Sequence, residues 1–151
     1  MSLKDRLIED MKAAMKAREA GKLRLSVIRM VRAAIRNVEI DKKIEFGDAE
    51  VIEVLAKEVK MRRDAISEFE KANRPDQVAV LNQEIAFLME YLPQQLSEDE
   101  IRRLAEETIA QVGAQSPKDL GKVMGAITPK TKGRANGKVV NQIVRELLEN
   151  L

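Results

Sequence analysis

Apolar residues recur every three to four positions along almost the whole chain, the period of helices that each bury one face. Leu3, Leu7, Met11, Ala14 and Met15 open the pattern and predict a helix over about residues 2–20, interrupted by Gly21. Ile28, Val31, Ile35 and Val38 mark a second helix, about 23–41, followed by a loop over 42–47. Asp48 is the expected N-cap of a third helix, with Glu50 in its first turn. Val51, Leu55, Val59, Ile66 and Phe69 carry that helix to about Asn73. Pro75 suits the first turn of a fourth, where Val78, Leu81, Ile85, Leu88 and Leu92 recur at heptad-like spacing, the signature of a helix-pair seam.

Pro93 ends that stripe, and a helix start follows almost at once, which makes the stretch from Pro93 to Leu96 the best domain boundary. Ser97-Glu98-Asp99-Glu100 matches a capping box. Ile101, Leu104, Ala105, Ile109 and Val112 then predict a helix over 98–112, ended by Gly113. Ser116 and Pro117 start a further helix carrying Leu120, Val123, Met124 and Ile127, which Pro129 stops or kinks. A polar loop over 130–137 precedes a last helix, about 138–150, burying Val140, Ile143, Val144, Leu147 and Leu148. Nothing alternates with period two over a useful length, so no strand is expected. The reading is all-α, two helical lobes: an N-terminal bundle of about four helices (1–92) and a C-terminal three-helix domain (93–151).

Composition removes whole classes of chemistry. The chain has no Cys and no His. Disulfides, thiolate nucleophiles, Cys-bearing zinc sites and every triad that relays a proton through imidazole are therefore excluded within it. Carboxylate catalysis stays open, but nothing places two acids around a common substrate; Glu84 and Glu90 read as members of an exposed helix face. With one Tyr, three Phe and no Trp, the stacking platforms of single-strand binders are missing. No apolar run is long enough to span a bilayer and no signal-peptide core is present, so a cytoplasmic location is expected. Tyr91, just before Leu92-Pro93, reads as an inter-lobe packing residue.

Charge distribution says more than the net charge of +2. Between Asp119 and Glu146 there is no acid, while Lys122, Lys130, Lys132, Arg134, Lys138 and Arg145 fall in that interval. Lys130 to Gly137 forms a loop feeding a helix N-terminus, where free N–H groups and the dipole favour an anion. Gly133 and Gly137 would let the backbone approach a phosphate closely. A solvated basic loop of no consequence fits the same pattern. A second basic interval holds Arg29, Arg32 and Arg36 on one helical face; covering the apolar stripe with their stems and pairing with acids of neighbouring helices accounts for them. Gly121-Lys122-Val123-Met124-Gly125 has the spacing of a close-packed helix pair and lacks the Gly-Lys-Ser/Thr ending of a phosphate-binding nucleotide loop.

Four runs are together recognisable: Phe69-Glu70-Lys71-Ala72-Asn73-Arg74, leading through Glu84 to Tyr91-Leu92-Pro93-Gln94-Gln95-Leu96-Ser97; then Asp119-Leu120-Gly121-Lys122-Val123-Met124-Gly125; and Pro129-Lys130-Thr131-Lys132-Gly133-Arg134-Ala135-Asn136-Gly137. In this order they resemble the YqeY family of small bacterial proteins over essentially the whole chain. The second lobe also resembles the tail domain of GatB, a component of the glutamine-dependent tRNA amidotransferase, through Gly121 to Met124 and Lys132 to Asn136. The YqeY pattern commonly has an acid where Asn136 stands, so this position is nearer to the GatB tail.

That resemblance implies a non-catalytic tRNA-binding or amidotransferase-associated accessory protein. The GatB tail touches the outer corner of tRNA, and amidation takes place in a separate cradle domain that this chain has no room for. Lys122, Lys130, Lys132, Gly133, Arg134 and Lys138 are the implied RNA-contacting residues. No cofactor or metal is implied. Two alternatives stay open: the glutamine-dependent carbon–nitrogen ligase activity of the family label, for which no nucleophile and base can be assigned, and a helical protein–protein adaptor that would show an exposed apolar patch.

Overall fold

A computed structural model describes residues 1–151. It is all-α, with seven helices: α1 (Leu3–Lys16), α2 (Lys22–Lys42), α3 (Asp48–Lys71), α4 (Pro75–Met89), α5 (Glu98–Val112), α6 (Leu120–Thr131) and α7 (Gly137–Glu149). Single 3₁₀ turns, Arg18–Gly21 and Pro117–Asp119, precede α2 and α6. No helix is long and apolar enough to cross a membrane. The chain forms two compact units, Met1–Leu92 and Pro93–Leu151.

In the first unit, the stripes of α1, α2 and α3 meet in one core containing Leu7, Ile28, Val31, Val51 and Leu55. Met15, expected in the α1 stripe, is 51% exposed. At about 100° per residue it lies some 120° round the helix from Leu3, off the buried face. The turn after α1 is fixed by a close approach. A Cβ on Gly21 would sit 2.2 Å from the carbonyl oxygen of Ala14. The obstacle is backbone, which cannot swing aside. Gly21→Ala is expected to destabilise the first unit by about 1–3 kcal/mol, read as a lower urea midpoint with unchanged slope; an unchanged midpoint would show that the turn relaxes freely.

Asp48 is not an N-cap. Gly47 occupies that position, and the Glu50 carboxylate accepts from the Gly47 N–H at 3.0 Å. Asp48 instead accepts from the Leu3 N–H at 2.9 Å, satisfying a donor at the start of α1. Its partner is 45 residues away, so no local pattern could reveal it. Glu39 closes the loop over 43–47 in a similar way. Its carboxylate takes the Lys4 ammonium at 2.5 Å and the Phe46 N–H at 2.7 Å. Both hold its pKa below the ordinary 4.5, the Lys4 hydrogen bond most strongly.

Two readings of α4 change. Glu84 does not lie on an open face: its carboxylate meets Arg62 at 3.1 Å, beside the buried Glu58. Along the seam only Leu88 is fully buried, while Val78, Leu81 and Ile85 are half-buried against α3. Tyr91, expected as an inter-lobe packing residue, is a core residue of the first unit. Its hydroxyl donates to the Asp10 carboxylate, and the Arg6 guanidinium lies 4.9 Å from its ring centroid. Burial first, then that hydrogen bond, raise the phenol pKa well above 10.

The second unit packs α5, α6 and α7 around Ile101, Ala105, Val123, Ile127, Val140 and Val144. Ser97 caps α5 by accepting from the Glu100 N–H at 3.2 Å. The Glu100 carboxylate takes the Ser97 hydroxyl instead of the backbone N–H of a full capping box. Gly113 ends α5 in the left-handed conformation, φ +68°.

Candidate nucleic-acid interface

The candidate surface lies where α6 ends and α7 begins, so what ends α6 shapes it. Pro129 lacks an N–H, yet α6 continues to Thr131 and the loop is shorter than expected. One missing donor near a helix end is tolerable because the carbonyl it leaves, that of Gly125, belongs to an exposed residue. The Thr128 hydroxyl donates to the Met124 carbonyl at 2.6 Å, and the Lys132 N–H reaches the Thr128 carbonyl at 3.0 Å. The Thr131 carbonyl then accepts from both Arg134 and Ala135 N–H groups, at 2.8 and 3.0 Å. That tight reversal runs through Gly133, whose φ of +74° disfavours any side chain.

Residues 94–96 hold the loop from outside. The Leu96 N–H donates to the Arg134 carbonyl at 2.8 Å. The Gln95 amide donates to the Gly133 carbonyl at 2.9 Å and to the Pro93 carbonyl at 2.9 Å. The Arg134 Nε donates to the Gln94 carbonyl at 3.3 Å. The sequence marks Gln94 and Gln95 as part of a recognisable run at a domain boundary and gives them no contact with the basic loop. An amide side chain in an otherwise featureless connector is the signal it contains, since both ends of that group seek partners.

Asn136 is the N-cap of α7, its side-chain oxygen accepting from the Lys138 N–H at 3.0 Å. Asp caps as well as Asn does, so an acid at this position would serve the same end of α7.

The cations distribute unevenly. Lys130 in the last turn of α6, Lys132 at its C-cap, Arg134 in the reversal and Lys138 in the first turn of α7 gather at this junction. Lys130, Lys132 and Lys138 are exposed and Arg134 is half-buried. The Lys130 ammonium is steered toward α5 by the Gln111 side-chain oxygen at 2.9 Å. Lys122 is exposed but two turns earlier, about 12 Å along the α6 axis and some 80° round from Lys130. Gly133 is buried with its carbonyl committed to Gln95; it sets the shape of the loop and offers no open backbone. Gly137 is exposed, and a Cβ there would meet nothing within 4 Å.

The glycines of α6 do not do what their spacing suggests. Gly121 and Gly125 are exposed, with nothing within 4 Å of an added Cβ. They pack against no helix and leave a strip of α6 backbone bare.

A family model described as "Yqey-like protein" matches residues 4–148. The chain is 35% identical over 130 residues to "Altered inheritance of mitochondria protein 41, mitochondrial" of Kluyveromyces lactis, covering 83% of this chain and 69% of that one. It is also 35% identical over 60 residues to a glutamyl-tRNA(Gln) amidotransferase component of Thermococcus gammatolerans, covering 37% of this chain and 10% of that protein.

Proposed function

Because the chain belongs to the Yqey-like protein family, we propose that it is a tRNA-binding, amidotransferase-associated accessory protein that contacts RNA through its second unit. In this reading residues 1–92 and 93–151 are separate domains, and the latter is a GatB-tail-like module. The observation that carries the reading is the gathering of Lys130, Lys132, Arg134 and Lys138 around a loop held by the Leu96 backbone N–H and the Gln95 side-chain amide. A preset loop presents its charges without first paying to order them. The name of the Thermococcus gammatolerans relative, which places it in a tRNA amidotransferase, supports the choice of RNA.

Cations on a short loop contact phosphate and carry no base readout. Discrimination would come from the shape of a structured RNA, which presents phosphates at fixed spacing. Lys122 extends the surface along the bare Gly121–Gly125 strip of α6. Gly133 sets the geometry of the loop. Any compartment that holds tRNA, the cytoplasm included, satisfies this reading; the yeast relative carries "mitochondrial" in its name.

Binding of purified protein to unfractionated tRNA across a salt series tests it. Four phosphate contacts predict a log–log slope of about −3. A slope near zero, or no binding at low salt, removes the RNA reading and puts a protein partner in its place. Amide formation by the protein alone on charged tRNA with glutamine and ATP would instead establish the ligase activity.

A further inference from the structure

The first unit contains a cavity of about 500 Å³ between α1 and α2, remote in sequence from the basic loop. Its apolar lining comes from Leu7 and Ile8 of α1 and from Ile35 and the exposed Ala33 of α2, and Arg29, Arg32 and Arg36 line it on the exposed side of α2. These arginines do not pair with acids of neighbouring helices as their sequence setting suggests. Arg29 and Arg36 make no hydrogen bond or ion pair, although Arg36 interacts with Glu39 through space, and Arg32 has only the Met11 sulfur at 3.1 Å. Glu39 is the acid that lines the cavity, and it is already bound to Lys4 and the Phe46 N–H.

The result is a concave surface with three guanidinium groups on one side and hydrocarbon beside them. Guanidinium groups match the oxygens of a phosphate in pairs, and three of them on one helical face suit a doubly charged anion. The volume falls within the range of small-ligand sites, roughly 300–1,000 Å³. The apolar lining is wasted on an inorganic ion. We propose that this cavity binds a free small phosphate monoester carrying an apolar group, the phosphate on Arg29, Arg32 and Arg36 and the apolar group over Leu7, Ile8 and Ala33.

The test is NMR titration of the full chain with hexyl phosphate, inorganic phosphate and hexanol at constant ionic strength. Hexyl phosphate is expected to shift amides near residues 4–8 and 29–39 and to bind about tenfold or more tightly than inorganic phosphate. The triple variant Arg29→Gln, Arg32→Gln, Arg36→Gln should weaken it about tenfold or more. Ala33→Glu, which keeps all three arginines and places a carboxylate among them on an exposed helical position, should do the same. Equal binding of hexyl and inorganic phosphate, shifts scattered over surface lysines, or full binding by both variants would overturn the proposal. So would displacement of hexyl phosphate by tRNA, or binding confined to phosphatidic acid vesicles. The assay contains no RNA in its primary arm, so its outcome is independent of the reading given for the second unit.

Discussion

Arg62→Leu is expected to destabilise the first unit by about 3–5 kcal/mol. Arg62 is 6% exposed and Glu58 7%. The guanidinium donates from Nε to Glu84 at 3.1 Å and from Nη1 to the Glu58 carbonyl at 3.0 Å, with the Glu58 carboxylate at 3.5 Å. Its remaining nitrogen lies 3.2 Å from the Met30 sulfur. Leucine fills much of the same space, so lost packing contributes little. The large cost comes from the Glu58 carboxylate, left buried without its cation. A second variant separates these causes. Arg62→Leu combined with Glu58→Leu and Glu84→Met removes the charges together and is expected to recover most of the loss. Tyr91 is the only tyrosine and lies in the first unit's core, so its near-ultraviolet signal in a urea titration reports this unit alone. A loss below about 1 kcal/mol for the single variant would mean that water enters and solvates Glu58.

This buried triad also shows where sequence reading stops. Helix ends are legible because they are local: Ser97 and Glu100 cap α5 within three residues, Pro75 opens α4, and Gly113 closes α5 with a positive φ. Core positions of α2, α5 and α7 are legible because period 3.6 fixes one face. Long-range polar partners are not. Arg62 and Glu84 are 22 residues apart, Asp48 and Leu3 45, and Tyr91 and Asp10 81. Each of these polar groups looks from its own neighbours like ordinary surface, and only the packing of helices decides otherwise. Spacing misleads in the opposite direction at Gly121 and Gly125, where a pattern common in packed helix pairs lies on an open face. Composition suggests partners for Arg29, Arg32 and Arg36 of α2, because acids are plentiful in the chain; Arg24 finds one in Glu90 at 2.7 Å, but the acid near the other three, Glu39, is already committed to Lys4.

The candidate RNA surface is legible as charge and hidden as geometry, and the largest functional prediction uses both. Changing Lys130, Lys132, Arg134 and Lys138 together to Ala is expected to lower tRNA affinity by on the order of 10²- to 10³-fold at 0.1 M salt and to flatten the salt dependence nearly to zero. Three of these side chains are exposed, so their loss leaves the second unit's core of Ile101, Val123 and Val144 untouched. Arg134 also bonds the Gln94 carbonyl, so a loosened loop and lost charge both enter the effect. Gln95→Ala distinguishes the two. It removes the bond to the Gly133 carbonyl and changes no charge. If preset loop geometry matters, Gln95→Ala weakens binding several-fold while keeping the wild-type salt slope, because the number of phosphate contacts is unchanged. If only the charges matter, Gln95→Ala binds like wild type and the four-residue variant alone fails. A four-residue variant that binds as tightly as wild type, with the same slope, would place the RNA contacts elsewhere on the chain.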